Sequence, residues 1–307
     1  MRILQIDTGP EMRGGQYQVL LLLNALRDAG HQSVLLAREG GPLATSAASQ
    51  GFDVHPAEIK QIWLHSRRVD LVHAHDARAH TMAAIAARPK LVVSRRVAFP
   101  VKRSVVSAWK YQRASRFLAV SHFVARELEA AGIRRQKIDV VYDGVDTISL
   151  ASSGARCSWS ASFPAVALAL DDPLKGRDLV RSAALSAGIP VVFSEDLLKD
   201  LRQASMFVYI TRSEGLGSAA LLAMEMGVPV IASFVGGLIE IFTDNVSGIF
   251  VENEERKIAN AMRRIAVETG LAQRLIAAGR ARIRECFTRE HLLQGTLDSY
   301  RRALGTD

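Results

Sequence analysis

The sequence predicts an α/β protein built from two tandem Rossmann-like domains. Three observations lead to this prediction: short apolar runs alternate with longer helical patterns, the alternation occurs in two series, and a serine-rich segment with little charge separates the series. Alternation of this kind is typical of a doubly wound parallel sheet covered by helices. The chain has 307 residues, which is about twice the size of an ordinary domain and leaves room for both.

The first series forms the expected N-terminal domain, residues 1–150. Its strands are short apolar runs that fit a buried parallel sheet, and its helices repeat apolar residues at helical spacing. The predicted strands are Arg2–Ile6, Ser33–Ala37, Val69–His73, Leu91–Ser94, Phe117–Val120 and Ile138–Tyr142. The predicted helices are Gln16–Ala29, Ala77–Ala87, Ser104–Arg113 and His122–Ala131.

The stretch 151–162 is rich in serine and shows no hydrophobic periodicity, which predicts a linker. The second domain is expected over residues 163–287, and a final helix over 288–307 is expected to cross back to the first domain. Ligands of open α/β sheets bind at the carboxyl ends of the strands, so we expect the domains to face a central cleft. The predicted strands are Ala165–Leu170, Pro190–Phe193, Met206–Ile210, Val228–Ala232 and Gly248–Val251, and the predicted helices are Ser218–Met226, Glu255–Thr269, Leu271–Cys286 and Arg289–Leu304.

The composition excludes several classes of protein. Hydrophobic residues make up 49% and charged residues 23% of the chain, which excludes a disordered or fibrous protein. Cys157 and Cys286 stand far apart, which excludes a disulfide framework and fits a reducing compartment. The longest apolar run, Val19–Leu23, is far shorter than the ~20 residues that span a bilayer. We therefore expect a cytoplasmic protein, with peripheral contact at the inner face of the membrane left open.

Two pairs of residues in the first domain are suited to anionic ligands. Gly14 and Gly15 follow the first strand and open a helix, where backbone amides can approach a phosphate or a sugar. An ordinary βα turn would give the same pattern. Arg95 and Arg96 end the fourth predicted strand and are expected to point towards the cleft, where an anionic group would bind.

His75 and Asp76 lie at the carboxyl end of the third predicted strand. They are candidates for hydrogen bonding to a polar ligand or for proton transfer. A zinc site formed by His73, His75 and His80 is disfavoured because no closed set of four ligands is visible. A buried, hydrogen-bonded side chain is the simpler interpretation of His73.

The segment Lys102–Arg116 combines basic residues with Val, Trp and Tyr side chains. Such a basic amphipathic stretch fits the interface of an anionic membrane, and a solvated helix face explains it equally well. The net charge of +8 also raises the alternative of a nucleic-acid binder. No recognition helix or aromatic platform supports that alternative, so no nucleic-acid partner is expected.

The segment Ser213–Glu240 carries the most specific pattern in the chain. Glu214 precedes a glycine-rich turn that opens a helix at Ser218, and a break at Gly227 then leads to a buried strand. Amides at the start of that helix can hold a diphosphate, and the carboxylate of Glu214 can accept hydrogen bonds from sugar hydroxyls.

This segment resembles the donor-site signature of the GT-B, family-4 glycosyltransferases of group 1 type. Further stretches resemble other motifs of that family in the same order: Gly14-Gly15 with Gly30-His31, Asp70–His75, Ala119–Ser121, Val141–Asp146 and Lys175-Gly176. The resemblance implies a retaining, metal-independent enzyme without a cofactor. Such an enzyme moves a sugar from a nucleotide-diphosphate sugar to an envelope glycan or a lipid-linked, lipopolysaccharide-like acceptor.

The resemblance also implies roles for individual residues. The expected catalytic residues are Glu214, His75 and Arg96, and the expected acceptor-side residues are Arg95 and Asp76. The expected donor-binding residues are Lys175, Gly215, Gly217, Ser218, Glu225, Gly14 and Gly15.

Three departures from the family pattern support an alternative function. Leu222 stands where the family has a second glutamate, and Glu225 is the nearest acid. The stretch Ala169–Asp172 replaces the arginine that precedes the lysine motif, and only one strand fits between Gly176 and Phe207, which predicts a contracted donor domain. The alternative is a degenerate homologue that binds a nucleotide, a sugar or a protein without turnover. A homo-oligomer is also left open, because a shortened sheet exposes an edge that a partner subunit can cover.

Overall fold

The computed structural model describes residues 1–101, 104–146, 159–169 and 172–306. The chain divides into two compact units: unit 1 comprises Met1–Gly144 and Arg289–Asp307, and unit 2 comprises Val145–Thr288. Each unit contains a parallel sheet flanked by helices. The predicted architecture of two Rossmann-like α/β domains is therefore confirmed. Most of the predicted linker, residues 151–162, lies outside the described residues.

Unit 1 has a seven-stranded parallel sheet in the order β3-β2-β1-β4-β5-β6-β7. Its strands are β1 (Arg2–Asp7), β2 (Gln32–Ala37), β3 (Asp53–Pro56), β4 (Leu71–Ala74), β5 (Lys90–Arg95), β6 (Arg116–Ala119) and β7 (Ile138–Val140). Its first six helices are α1 (Gly14–Asp28), α2 (Pro42–Ser49), α3 (Ile59–His65), α4 (Ala77–Ala86), α5 (Val105–Arg113) and α6 (His122–Ala130).

Unit 2 has a five-stranded parallel sheet in the order β12-β11-β10-β8-β9. Its strands are β8 (Ala165–Leu168), β9 (Val191–Ser194), β10 (Met206–Tyr209), β11 (Val230–Ser233) and β12 (Ile249–Val251). Its helices are α7 (Arg177–Ala187), α8 (Leu197–Asp200), α9 (Ser218–Glu225), α10 (Glu255–Val267) and α11 (Leu271–Cys286). The strand order places β8 and β10 side by side in the middle of the sheet, so residues that follow these two strands meet at one edge.

The last helix, α12 (Arg289–Leu304), belongs to unit 1, where it contacts α1, β5, β6 and β7. Leu292, Leu297 and Tyr300 are buried on its inner face. Asp139, in β7, accepts a hydrogen bond from Ser299 of this helix at 2.8 Å and forms an ion pair with Arg302 at 3.1 Å. Apolar burial and these polar contacts together dock the end of the chain on the first sheet.

Several elements of unit 1 are absent from the sequence prediction. Strand β3 is a four-residue edge strand that is at most half-buried and ends in Pro56, so it lacks the apolar run that identifies an inner strand. Helix α3 leaves Ile59, Trp63 and Leu64 exposed, which blurs its amphipathic period. No helix in the described ranges is both long and apolar enough to cross a membrane.

Candidate active site

Lys175 and Glu214 form an ion pair at the carboxyl edge of the second sheet. Lys175 ends a short turn that follows β8, and Glu214 lies in the loop after the neighbouring β10. The Lys175 Nζ atom lies 2.7 Å from Glu214 Oε2, and the two side chains are 18% and 17% exposed. The backbone amide of Gly215 donates to the other carboxylate oxygen at 3.0 Å. The structure thus brings together three residues that were expected to hold the donor.

Tyr209, at the end of β10, is a member of this cluster that the sequence analysis did not find. Its hydroxyl donates a hydrogen bond to Glu214 Oε2. Burial, together with the nearby carboxylate of Glu214, raises the pKa of Tyr209 well above its usual value. The phenol therefore stays protonated and remains a donor at physiological pH. The sequence indicates this role of Tyr209 only by an aromatic residue at the end of a buried strand.

Two glycines fix the backbone around Glu214. Gly217 has a φ of +107°, and a Cβ atom there would lie 2.6 Å from Leu238 Cδ2. Gly236 has a φ of +54°, and a Cβ atom there would lie 2.2 Å from the carbonyl oxygen of Glu214. That same oxygen accepts a hydrogen bond from the amide of Gly237 at 3.0 Å. Left-handed backbone and this close approach both require glycine, so the glycine pattern of the segment has a steric cause.

A network of short polar side chains anchors the loop that leads to Glu214. The Ser233 hydroxyl accepts from the Thr211 amide at 2.9 Å and donates to Asn253 Oδ1 at 2.5 Å. The Asn253 amide group then donates to the carbonyl of Thr211 at 2.9 Å. This closed set of hydrogen bonds ties the end of β10 to the ends of β11 and β12 and so positions Glu214.

Ser218 begins helix α9 directly after Gly217, as expected for amides that bind an anion at a helix N-terminus. Glu225 is the last residue of the same eight-residue helix, about 10 Å further along its axis. Its carbonyl accepts a hydrogen bond from Arg280 of α11 at 3.1 Å. Burial raises the pKa of the Glu225 carboxyl, and the charges of Arg280 and Arg284 oppose that rise. In the described part of the chain Glu225 therefore belongs to the contact between α9 and α11, and the structure does not bring it to the Lys175–Glu214 pair.

A second polar cluster lies at the carboxyl edge of the sheet in unit 1. Asp7, at the end of β1, accepts hydrogen bonds from Gly9 N at 2.9 Å and from Gln16 Nε2 at 3.0 Å. Burial raises the pKa of the Asp7 carboxyl, while these two hydrogen bonds oppose the rise. Asp7 and Gln16 were not among the predicted site residues, although an acid at the end of a first strand is visible in the sequence.

The carboxylate of Asp76 accepts hydrogen bonds from other groups of unit 1. It caps helix α4 by accepting from the amides of Arg78 and Ala79, each at 2.8 Å. It also accepts from the amide of Thr8 at 2.5 Å and from its hydroxyl at 2.9 Å. Asp76 therefore fixes the loop after β1 to the start of α4, which is a structural task different from the acceptor contact expected of it.

His75 and Arg96 lie together in this cluster. His75 Nδ1 is 3.3 Å from Arg96 Nη1, and His75 Nε2 is 2.7 Å from Gln5 Oε1. The Arg96 Nε atom donates to Asp143 at 3.1 Å. Burial, with the charges of His73 and Arg96, lowers the pKa of His75 well below its usual value, so the ring is neutral. A Cβ atom on Gly15 would lie 3.9 Å from Arg96 Cδ, so the start of α1 lies beside this arginine.

Arg95 and Arg96 were both expected to point towards the cleft, and the structure gives the two side chains different partners. The Arg95 guanidinium donates to the hydroxyl of Tyr111 at 3.0 Å and to the carbonyl of Phe99. Arg95 is the last residue of β5 and Arg96 is the first residue after it. Of the two arginines, Arg96 is the one that contacts His75 in the described part of the chain.

The remaining histidines of the motif region are buried and hydrogen-bonded. His73 contacts the Tyr300 hydroxyl at 2.7 Å and Ser94 Oγ at 2.8 Å. His80 contacts the carbonyl of Lys110 at 3.1 Å. Within the residues that the structure describes, no group of three His, Cys, Asp or Glu side chains is arranged to hold a metal ion.

The basic residues of the segment Lys102–Arg116 mostly have partners in unit 1. Lys110 donates to the Thr81 hydroxyl at 3.1 Å, Arg113 donates to carbonyls at the end of α4, and Arg116 pairs with Asp139 at 2.6 Å. Lys102 and Arg103 lie outside the described residues. The segment also exposes apolar side chains, since Val105 and Val106 are 87% and 68% exposed.

Two sequence-family models match this chain. The model described as Glycosyltransferase Family 4 matches residues 12–148, and the model described as Glycosyl transferases group 1 matches residues 189–282. Among curated relatives, a D-inositol 3-phosphate glycosyltransferase of a Nocardioides species is 35% identical over 116 residues, covering 38% of this chain and 25% of the relative. Its counterpart from Segniliparus rotundus is 29% identical over 294 residues, covering 79% and 63%. The chain thus spans less than two thirds of the length of these relatives.

Solved glycosyltransferase structures share the fold. The crystal structure of Anabaena HepE in complex with UDP-glucose superposes with a TM-score of 0.82 at 18% identity, covering 97% of this chain and 99% of that one. The lipopolysaccharide outer core galactosyltransferase WaaB gives a TM-score of 0.68 at 14% identity, covering 97% and 99%. The two family models together match more than half of the chain, in the order of the two units. The chain therefore belongs to the group 1 glycosyltransferases of GT-B fold.

Proposed function

We propose that this protein transfers a sugar, with retention and without a metal ion, from a nucleotide-diphosphate sugar to an envelope glycan or a lipid-linked acceptor. The observation that carries the proposal is the ion pair of Lys175 with Glu214, 2.7 Å apart beside the glycine-rich turn of unit 2. One partner is suited to a diphosphate and the other to sugar hydroxyls. A nucleotide-diphosphate sugar contains both groups, next to each other.

The proposed roles in unit 2 follow from charge and hydrogen bonding. Lys175 and the first amides of α9 take up the negative charge of the leaving diphosphate, which stabilises the transition state for loss of that group. Glu214 accepts hydrogen bonds from the donor sugar and orients its anomeric carbon. Tyr209 holds the Glu214 carboxylate from the protein side, so binding of the donor does not require the carboxylate to be reoriented.

In unit 1, Arg96, expected as a catalytic residue, and the backbone at Gly14 and Gly15, expected to bind the donor, are also proposed to line the path of the acceptor. The Arg96 side chain is 15% exposed and is already paired on one side with Asp143, so its remaining donors can bind an anionic or hydroxyl-bearing acceptor. Relatives named for inositol 3-phosphate are consistent with a phosphorylated acceptor. HepE, which shares the fold, binds UDP and UDP-glucose, which supports a uridine-based donor as the first one to test.

The test is incubation of the protein with uridine, guanosine, adenosine and cytidine diphosphate sugars, with measurement of both nucleotide release and binding. Turnover with one donor, lost in Glu214→Gln, supports the proposal. Binding without turnover for any donor supports the degenerate alternative, which Leu222 favours because leucine cannot accept a hydrogen bond from a ribose hydroxyl. Absence of both binding and turnover would overturn the proposal.

We also propose peripheral contact with an anionic membrane through the segment that contains α5. The exposed side chains Val105, Val106 and Trp109 support this proposal. They form an apolar surface on a helix with no buried residue. Such a surface inserts between lipid headgroups, while nearby basic residues attract the anionic surface.

A further inference from the structure

The last helix of the chain carries a side chain into the buried polar cluster of unit 1. Tyr300, on α12, is fully buried, and its hydroxyl lies 2.7 Å from His73 Nδ1 and 3.3 Å from Gln5 Nε2. Gln5 in turn places Oε1 2.7 Å from His75 Nε2. Two successive hydrogen bonds therefore connect the C-terminal helix with His75.

The proton positions in this cluster follow from Arg96. A guanidinium only donates hydrogen bonds, so the 3.3 Å contact between Arg96 Nη1 and His75 Nδ1 makes Nδ1 the acceptor. The imidazole is neutral because burial and the neighbouring charges lower the pKa of His75. A neutral ring carries one N–H group, so the proton is on Nε2 and is donated to Gln5 Oε1.

Tyr300 determines which way the Gln5 amide faces. The oxygen of the Gln5 amide faces His75, so the amide nitrogen needs an acceptor. The Tyr300 hydroxyl accepts from this nitrogen and donates its own proton to His73. Without the Tyr300 hydroxyl, the Gln5 side-chain amide can rotate so that its nitrogen donates to His75 Nε2. The proton of the imidazole then moves to Nδ1. A proton on Nδ1 would face the N–H groups of Arg96, donor against donor, and the contact that holds Arg96 would be lost.

We propose that Tyr300 is a positioning residue for Arg96. Acting through Gln5, it fixes the Nε2–H tautomer of His75, and His75 Nδ1 then holds one side of the Arg96 guanidinium. Asp143 holds the other side, with its Oδ1 atom 3.1 Å from Nε. The effect on turnover rests on the proposed function, whereas the tautomer and the order of the arginine side chain do not.

The experiment compares Tyr300→Phe with the unmodified protein in long-range proton–nitrogen NMR spectra of isotope-labelled histidine, with His75→Gln used for assignment. We expect a single Nε2–H tautomer at His75 in the unmodified protein and a mixture of both tautomers in Tyr300→Phe. The Arg96 side-chain N–H signals should broaden in parallel. Methionine cannot donate to His75 Nε2, so adding Gln5→Met to Tyr300→Phe should restore the single Nε2–H tautomer that the Arg96 contact favours. If Tyr300→Phe folds poorly, the tautomer of His75 in the unmodified protein still tests the assignment.

The matched control is Ser299→Ala, because Ser299 lies on the same helix and its hydroxyl binds Asp139 instead of the histidine cluster. This variant should leave the His75 tautomer unchanged even if it destabilises the docking of α12. A single tautomer and sharp Arg96 signals in Tyr300→Phe, a mixture that persists when Gln5→Met is added, or an Nδ1–H tautomer in the unmodified protein would overturn the proposal. Equal effects of Ser299→Ala and Tyr300→Phe would also overturn it, since the role would then be docking alone.

Activity gives a separate readout. With an active donor, Tyr300→Phe should lower kcat about tenfold, the equivalent of one lost hydrogen bond, while KM for the nucleotide sugar stays the same. An altered tautomer with unchanged kcat would overturn the positioning role. A protein without turnover on any donor would count against the proposed function, and the NMR comparison would still decide the role of Tyr300.

Discussion

The ammonium group of Lys175 lies 2.7 Å from the carboxylate of Glu214, so the residue expected to bind a diphosphate and the residue expected to bind a sugar neutralise each other. The pair is separated by 39 positions in the sequence and is formed by the loops after two adjacent strands. A ligand that draws Lys175 to its phosphates must compensate for the loss of this ion pair. A diphosphate does so because it offers more negative charge than one carboxylate.

Lys175→Ala should weaken the binding of nucleoside diphosphates by about ten- to a hundredfold, the range of a lost charge-assisted hydrogen bond. Binding of the bare nucleoside should stay nearly unchanged, because it has no phosphate. Calorimetric titration of both ligands measures the difference. Lys199→Ala, on exposed α8 of the same unit, is the control. Equal loss for both ligands would show that Lys175 acts structurally.

Glu214→Gln should lower turnover far more than it lowers stability. The amide keeps a hydrogen-bond acceptor for Tyr209 but loses the charge that binds and orients the donor sugar. Steady-state rates and thermal unfolding are measured on the same preparation. Glu195→Gln, at an exposed position of unit 2, should change neither quantity. A wild-type rate of transfer in Glu214→Gln would disprove the assigned role.

Leu222→Glu should tighten the binding of nucleotide sugars or create it. Leu222 is half-buried on α9, one turn after Ser218, and leucine offers no acceptor for ribose hydroxyls. Charge-assisted hydrogen bonds contribute roughly 1.5–3 kcal/mol each. Calorimetry with one donor compares the natural protein, Leu222→Glu and Leu222→Met, of which the last should bind like the natural protein. Unchanged or weaker binding in Leu222→Glu would mean that the ribose is held elsewhere.

The free energy of unfolding should fall as pH falls below 6.5. Burial lowers the pKa of His80 from 6.5 to about 3, so the unfolded chain takes up a proton in this window while the folded protein does not. Each such histidine contributes a slope of about 1.4 kcal/mol per pH unit at most. Urea unfolding at several pH values should show a smaller slope for His80→Gln than for the natural protein. The exposed His291→Gln serves as the comparison, and identical slopes in all three proteins would contradict the prediction.

Replacing Val105 and Val106 together by aspartate should abolish association with anionic vesicles. Both side chains are exposed on α5, and a carboxylate is repelled by the anionic surface and costly to insert. Sedimentation with vesicles at low ionic strength measures the effect, and added salt should weaken the binding of the natural protein. Val267→Asp, at an exposed position of unit 2, should bind like the natural protein. No binding by the natural protein would leave the solvated helix face as the explanation of the segment.

The patterns of the sequence were sufficient to predict the class of fold. Inner strands such as β1, β4 and β10 are short apolar runs, and the helices between them repeat apolar residues at helical spacing. Both signals are local, so they can be read without knowing which strands pair. The edge strand Asp53–Pro56 lacked the signal because it packs little apolar surface.

The candidate site was predictable only in part. Glu214, Gly217 and Lys175 stand in motifs whose glycines and charges are visible in the sequence, and the structure brings Lys175 and Glu214 into contact. Tyr209 was missed because an aromatic residue at the end of a strand does not differ from a core residue until its hydroxyl is seen beside a carboxylate. The contacts of Arg95 with Tyr111 and Phe99 were not predicted, because they depend on how the chain folds after β5.

The sequence by itself determined the α/β class of fold, the inner strands and the family motifs, because each depends on residues close together in the chain. Only the tertiary structure decided that Asp76 binds Thr8, 68 positions away, that Glu225 faces α11, and that Tyr300 reaches His73, 227 positions away. Hydrogen bonds and ion pairs depend on distances of about 3 Å between atoms. Such distances between remote residues are set by the packing of sheets and helices, which local patterns do not specify.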